Sequence, residues 1–286
     1  MTTNESTCWH LTIAYDGSQY FGWQIQTKLK TVQGELLRRL RLMLRSPELK
    51  ISGCSRTDAG VHALDQQVSF SVDMPEDIDP ASFPARLNRW LPDDIVITGA
   101  RVCPDPFNAR HDNFGKAYTY CISPGIKINP LFARYVWRTP HPLNLQAMQE
   151  TATYLTGTLD FASFAVNSRQ EIDSTVRTLY CLQVLEKDGM IYINAVGESF
   201  LYKMVRSLVG YLVHVGMGHA RPENTPTVLE GKKRSLAADS APAQGLFLAK
   251  VFLQPEEWRN YSPQLPPFLF QGLDPQNGPK ETLPAC

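Results

Sequence analysis

The chain has 286 residues and a mass of 32.2 kDa, with 43% hydrophobic and 20% charged residues. That balance is typical of a globular protein with a substantial core, and it excludes disorder over the whole length. The 28 basic and 28 acidic side chains cancel, which excludes a binder working through bulk positive charge but not one with a locally charged cleft.

The charge is unevenly placed. Residues 1–104 carry 11 basic and 12 acidic side chains, residues 105–253 carry 15 and 12, and residues 254–286 carry 2 and 4. Cysteines stand at 8, 54, 103, 121, 181 and 286, with no C-x-x-C pair. The histidines form no H-E-x-x-H, so no metal is expected. The start is polar and acidic, unlike a secretory leader. The longest apolar helical stretch, Ser207 to Ala220, is too short for a bilayer and carries two histidines. These features read as a reduced, cytoplasmic protein with no membrane association.

Trp9, Leu11, Ile13 and Tyr15 alternate as a strand. Val32, Leu36, Leu37, Leu40, Met43 and Leu44 recur at helical spacing, ringed by Arg38, Arg39, Arg41 and Arg45. A short strand around Lys50–Gly53 and another over Val68, Phe70 and Val72 follow. Pro80 after Asp79 predicts a helix start, with Phe83, Leu87, Trp90 and Leu91 as its apolar face. Ile95–Val102 reads as a strand, completing β-α-β-β-α-β.

The second half repeats that order. Tyr118, Tyr120 and Ile122 alternate, and a helix carrying Leu145, Met148, Ala152 and Leu155 follows a possible Asn144 cap. Thr175–Leu185 and Met190–Val196 flank the hairpin signal Asp188-Gly189. A long helix is predicted over Phe200–Gly216, and Leu246–Leu253 closes as a strand. The expectation is an α+β chain of two ferredoxin-like (split βαβ) domains with antiparallel sheets and an active-site cleft between them. Their bounds are 1–104 and 105–253. Residues 254–286 hold seven of the 21 prolines and read as an extended or poorly ordered tail, with Phe268, Leu269 and Phe270 able to dock.

The most unusual stretch is Ser52-Gly-Cys-Ser-Arg-Thr-Asp-Ala-Gly60, which has no bulky apolar residue and sits between two strands. Such a loop lets backbone approach a ligand closely and projects Arg56 and Asp58. Taken alone, Asp58-Ala59-Gly60 is equally a turn in which the aspartate bonds its own backbone.

The full set of segments is far more specific. It comprises Tyr15-Asp-Gly-Ser-Gln-Tyr-Phe-Gly-Trp-Gln-Ile-Gln26, Thr31-Val-Gln33, Arg56-Thr-Asp-Ala-Gly-Val-His-Ala63, Phe107-Asn-Ala-Arg110, and Lys116-Ala-Tyr-Thr-Tyr120. Asp160-Phe-Ala-Ser-Phe164, Phe200-Leu-x-x-Met-Val-Arg206 and Ala241-Pro-x-x-Gly-Leu246 continue it. In this order, from residue 15 to about 253, they resemble the tRNA pseudouridine synthase A family.

The resemblance implies an isomerase that converts uridine to pseudouridine in the tRNA anticodon stem-loop, at tRNA positions 38 to 40, without a cofactor. It makes Asp58 the catalytic aspartate, Arg206 its ion-pair partner, and Tyr118 the tyrosine that packs on the target base. Leu246 becomes an apolar contact under that base. Arg56 is implied in flipping the base, because a base inside a stem cannot be reached while stacked. Phe107, Asn108, Ala109 and Arg110 match a tRNA-contacting segment, with His111 standing where an aromatic hydrocarbon ring is usual. Ser168, Arg169 and Gln170 match another contact loop more loosely. Ser55 stands where many relatives carry glycine.

Arg38, Arg39, Arg41 and Arg45 suit backbone phosphates or a solvated helix face. Relatives are homodimers, so a homodimer is expected. The rival readings are a non-catalytic RNA-binding module, which has no need of Asp58, and an N-glycosyl hydrolase, which usually needs two carboxylates. Asp16 is the second carboxylate candidate, but it reads as a strand-end turn with Gly17.

Overall fold

The computed structural model describes residues 6–125, 128–166 and 174–263. It is a mixed α+β protein that divides into two compact units, meeting in sequence between Phe114 and Gly115.

The first unit runs β1 (Thr7–Tyr15), α1 (Val32–Met43), β2 (Ser52–Gly53), β3 (His62–Val72), α2 (Phe83–Trp90) and β4 (Ile95–Cys103). Its strands lie in the order β4-β1-β3-β2, all neighbours antiparallel. Alternation in β1 sends Trp9, Leu11 and Ile13 into the core, where Trp9 meets Phe83 of α2 at 4.9 Å. Thr31 caps α1 by accepting from Gly34 N–H. The face of α1 with Val32, Leu36, Leu37 and Leu40 is buried.

Two local readings are corrected here. Helix α2 starts at Phe83, not Pro80, because the Asp79 carboxylate accepts from the amides of Ala81 and Ser82 and closes a separate turn first. Trp90 ends that helix exposed, and Leu91 is buried from an extended backbone. Strand β3 also begins six residues before Val68, through the buried polar pair Gln66 and Gln67.

The second unit runs β5 (Gly115–Pro124), β6 (Trp137–Thr139), α3 (Leu145–Tyr154), β7 (Gly157–Asp160), β8 (Val176–Lys187), β9 (Met190–Gly197), α4 (Met204–Gly216), α5 (Thr225–Glu230) and β10 (Leu246–Phe252). Its sheet order is β10-β5-β9-β8-β7, antiparallel throughout, with β6 added parallel to β5. Asp188 and Gly189 both take positive φ, 53° and 74°, giving the tight β8–β9 hairpin. Asn144 caps α3 through Ala147 N–H.

Helix α4 is buried almost all round and forms the centre of this unit. It starts at Met204 rather than Phe200, because Lys203 adopts a left-handed φ of 58° that no helix interior tolerates. Gly210 lets the chain at Asp239 lie directly on the helix: a Cβ there would stand 1.9 Å from the Asp239 carbonyl oxygen.

The described start of the C-terminal tail is not extended. Glu257–Asn260 forms a 3-10 turn, and the Glu257 carboxylate accepts from the amides of Leu253 and Gln254. Trp258 stacks on Tyr180 of β8 at 4.1 Å and 3°. Tyr261 meets Phe252 edge-on at 5.4 Å. Phe268, Leu269 and Phe270 lie outside the described residues. Trp258→Ala should therefore lower the unfolding free energy by about 1–3 kcal/mol in urea titration. An unchanged midpoint would show that this segment does not dock.

Candidate active site

The loop from Ser55 to Gly60 is gripped along its backbone by two other segments. Gln66, fully buried on β3, receives Ser55 N–H on its Oε1 at 3.1 Å and donates Nε2 to the Ser55 carbonyl at 2.7 Å. Thr57 is buried, with its hydroxyl 2.8 Å from the Tyr15 hydroxyl. Its carbonyl accepts from Trp23 N–H at 3.1 Å. Gly60 N–H donates to the Tyr20 carbonyl at 3.3 Å, and Val61 N–H closes the turn onto the Asp58 carbonyl at 3.1 Å. Asp58 is left half-buried between these clamps, with Arg56 exposed two residues before it.

Glycines permit the grip. Gly22 has φ +89°, and a Cβ there would stand 2.6 Å from the Thr57 carbonyl oxygen. Gly17 abuts the Val61 backbone, where a Cβ would stand 2.0 Å from the carbonyl oxygen, and its N–H donates to Nδ1 of buried His62. Asp16 accepts from the amide and hydroxyl of Ser18 and caps the short turn after β1, so it has the strand-end role its sequence suggests. Segment 15–23 and loop 55–61 are thus one interlocked piece of backbone.

A second turn in this unit carries the basic contact candidates. Ala109 is buried and anchors it through N–H to the Ser69 hydroxyl at 3.0 Å. Asn108 Oδ1 accepts from the Ser52 hydroxyl and from Arg110 N–H, both at 3.0 Å. Phe107 packs on the His10 ring at 4.5 Å. Arg110 and His111 are exposed on the outer side. Arg56 and Arg110 come near enough to feel each other: burial first, then the Arg110 charge, lowers the proton affinity of Arg56.

The arginines of α1 are employed differently. Arg38 and Arg39 pair with Glu35, both Arg41 donors reach the Leu49 carbonyl, and Arg45 forks onto Asp77.

In the second unit, Tyr118, Tyr120, Leu246 and Leu248 share one face of the β5–β10 pair, with Leu246 opposite Tyr120 and Leu248 opposite Tyr118. All four are buried. Tyr118 meets Phe200 edge-on at 5.1 Å. Tyr120 is a core residue whose hydroxyl donates to the Pro242 carbonyl at 2.7 Å. Burial pushes its phenol well above the usual range, while the Arg206 charge pulls it back.

Arg206 projects from the first turn of α4, half-buried, with Nε on the Ala241 carbonyl at 2.8 Å. Ala241 N–H returns to the Arg206 carbonyl at 2.9 Å. The Ala241–Leu246 segment therefore binds Arg206 and Tyr120 and carries Leu246 in one connected group. Ser168, Arg169 and Gln170 lie outside the described residues. Among the described residues no group of three or more His, Cys, Asp or Glu is arranged to hold a metal.

Sequence reasoning missed Gln66, Tyr15 and Gly22 as supports of Asp58. A glutamine inside an apolar strand was the one visible signal, since a buried amide needs partners.

A family model described as tRNA pseudouridine synthase matches residues 151–252. The tRNA pseudouridine synthase A of Anoxybacillus flavithermus is 40% identical over 240 residues, covering 84% of this chain and 96% of that protein. The protein of that name from Ruminiclostridium cellulolyticum is 39% identical over 243 residues, covering 85% and 98%. The tRNA pseudouridine synthase A 2 of Bacillus cereus is 39% identical over 242 residues, covering 84% and 97%.

Gly22 and Gly218 both hold positive φ, but only Gly22 faces neighbouring backbone. Gly218→Ala should cost about 1–2 kcal/mol from backbone strain alone. Gly22→Ala should cost clearly more, measured by urea unfolding of both variants. Equal losses would mean that Gly22 does not bear on the Asp58 loop.

Proposed function

The chain belongs to the tRNA pseudouridine synthase A family, and from that membership and the site geometry we propose that it isomerises uridine to pseudouridine in tRNA, with Asp58 as the catalytic group. The observation that carries the residue assignment is the clamped loop: three backbone hydrogen bonds and the Gln66 amide fix the segment on which Asp58 stands. The reaction breaks the N-glycosidic bond at C1′, turns the uracil, and joins C5 to C1′. No electrons or groups enter or leave, so the chemistry asks for no cofactor. A carboxylate can attack uracil C6, attack C1′, or take the C2′ proton.

The other residues take roles around it. Arg206 serves as the cationic partner of the Asp58 carboxylate. Tyr118 packs on the base and Leu246 lies beneath it, a reading supported by their shared sheet face. Arg56 braces the stem from which the uridine is flipped. Phe107, Asn108, Ala109, Arg110 and His111 form the tRNA-contacting turn. Arg56 and Arg110 are both exposed and are taken to contact tRNA phosphates. Ser168, Arg169 and Gln170 are proposed as further tRNA contacts.

The targets are the anticodon-stem uridines at tRNA positions 38 to 40, and the working form is a cytoplasmic homodimer. Each unit is read as a ferredoxin-like domain, the first bearing the catalytic aspartate and the second the base-packing tyrosine. What supports this is that β4-β1-β3-β2 and β10-β5-β9-β8 are the same strand order, built on a β-α-β-β-α-β succession to which the second unit adds β6, β7 and α5.

Purified protein incubated with unmodified tRNA should yield pseudouridine at those stem positions and no free uracil. Asp58→Ala should keep tRNA affinity and lose turnover by at least about 10³-fold, the scale of removing one essential group. Retained turnover would overturn the assignment, and released uracil would mark a hydrolase instead. Affinity should fall steeply as salt rises from about 50 to 200 mM, since phosphate contacts release counterions. A flat salt response would remove the phosphate contacts from the account.

A further inference from the structure

Two cysteines outside this machinery face each other. Cys8 at the start of β1 and Cys103 at the end of β4 are directly opposed in the antiparallel ladder, and both are free and only partly buried. Directly opposed residues in such a ladder have Cα atoms about 4.5–5.5 Å apart, within the roughly 4.4–6.8 Å that a disulfide spans. Cys54 and Cys121, by contrast, are both buried.

The pair touches the candidate tRNA-contacting turn twice. The Cys8 thiol donates to the Phe107 carbonyl at 3.7 Å. Cys103 is four residues from Phe107 through Pro104-Asp105-Pro106, a connection whose two prolines transmit movement rather than absorb it.

We propose that Cys8 and Cys103 are a reversible oxidation site for peroxides, whose closure to a disulfide frees the Phe107 carbonyl and loosens the turn that carries Arg110. In the first step the Cys8 sulfur attacks a peroxide oxygen and the O–O bond breaks. Cys8 becomes a sulfenic acid, and the peroxide leaves as water or an alcohol. The Cys103 sulfur then attacks the Cys8 sulfur, the S–S bond forms, and hydroxide leaves as water with the Cys103 proton. With hydrogen peroxide, two thiols and one peroxide give one disulfide and two waters. Burial, then the Cys8 neighbour, pushes the Cys103 thiol up to about 11, which suits it to the second, resolving step rather than the first. A dithiol reductant reverses the reaction by exchange. The effect on tRNA rests on the role proposed above for Arg110; the disulfide itself does not.

The test treats the full chain with hydrogen peroxide, caps remaining thiols, and maps the peptides by mass spectrometry, with amide hydrogen exchange over residues 107–112. The expected result is a Cys8–Cys103 cross-link that dithiothreitol removes, with exchange at Ala109 and Arg110 raised severalfold. Cys103→Ala should show neither change, and Cys8→Ser, which keeps a donor for the Phe107 carbonyl, should show slow exchange with or without peroxide. Absence of the cross-link overturns the site, and a cross-link with unaltered exchange overturns its coupling to the turn. In the same samples tRNA affinity should weaken severalfold on oxidation. If the cross-link and exchange respond while Arg110→Ala leaves tRNA affinity unchanged, the redox site stands and the Arg110 role falls.

Discussion

The structure turns on the hydrogen bond from Trp23 N–H to the Thr57 carbonyl, made possible because Gly22 presents no side chain to the backbone it rests on. That contact joins the segment after β1 to the loop bearing Asp58. The Tyr15 and Thr57 hydroxyls, the Gly60 amide and the Gln66 side chain then fix the loop from other directions. A short acidic side chain on such a scaffold has few directions in which to point. Catalysis by one carboxylate depends on position, because its chemistry is effective only over a fraction of an ångström.

This division of labour explains why so many glycines and polar residues sit near a core. Ordinary packing would not require Gly22, Gly17 and Gln66 at these places. A Cβ at Gly17 or Gly22 would strike neighbouring backbone, and the Gln66 amide answers both main-chain groups of Ser55, so each of the three brings one polar group against another. In the second unit the same logic holds Arg206 and the Ala241–Leu246 segment together, with Gly210 admitting the Asp239 backbone onto α4. Arginine fits there because its planar guanidinium serves the Ala241 carbonyl through Nε.

Much of this was legible from residues alone. Period-two and period-3.6 patterns found the main strands and helices, and Asp188-Gly189 found its hairpin. Where reading failed, local chemistry outweighed periodicity. Asp79 satisfied two amides before the helix could start, Lys203 took a left-handed turn inside an apolar run, and Gln66 and Gln67 continued a strand that looked finished. The tail misled for a related reason: proline content obscured Trp258 and its stacking partner Tyr180, a pairing of residues 78 positions apart that no local pattern reports.

The most direct measurement is the single-turnover rate of pseudouridine formation by Asp58→Glu. The variant keeps the charge and moves the carboxylate outward by one methylene. If the clamped backbone sets reactivity through position, the rate falls by about 10²-fold or more while tRNA affinity is kept. A near wild-type rate would show that charge alone suffices and that the interlocked loop is not what makes the site work.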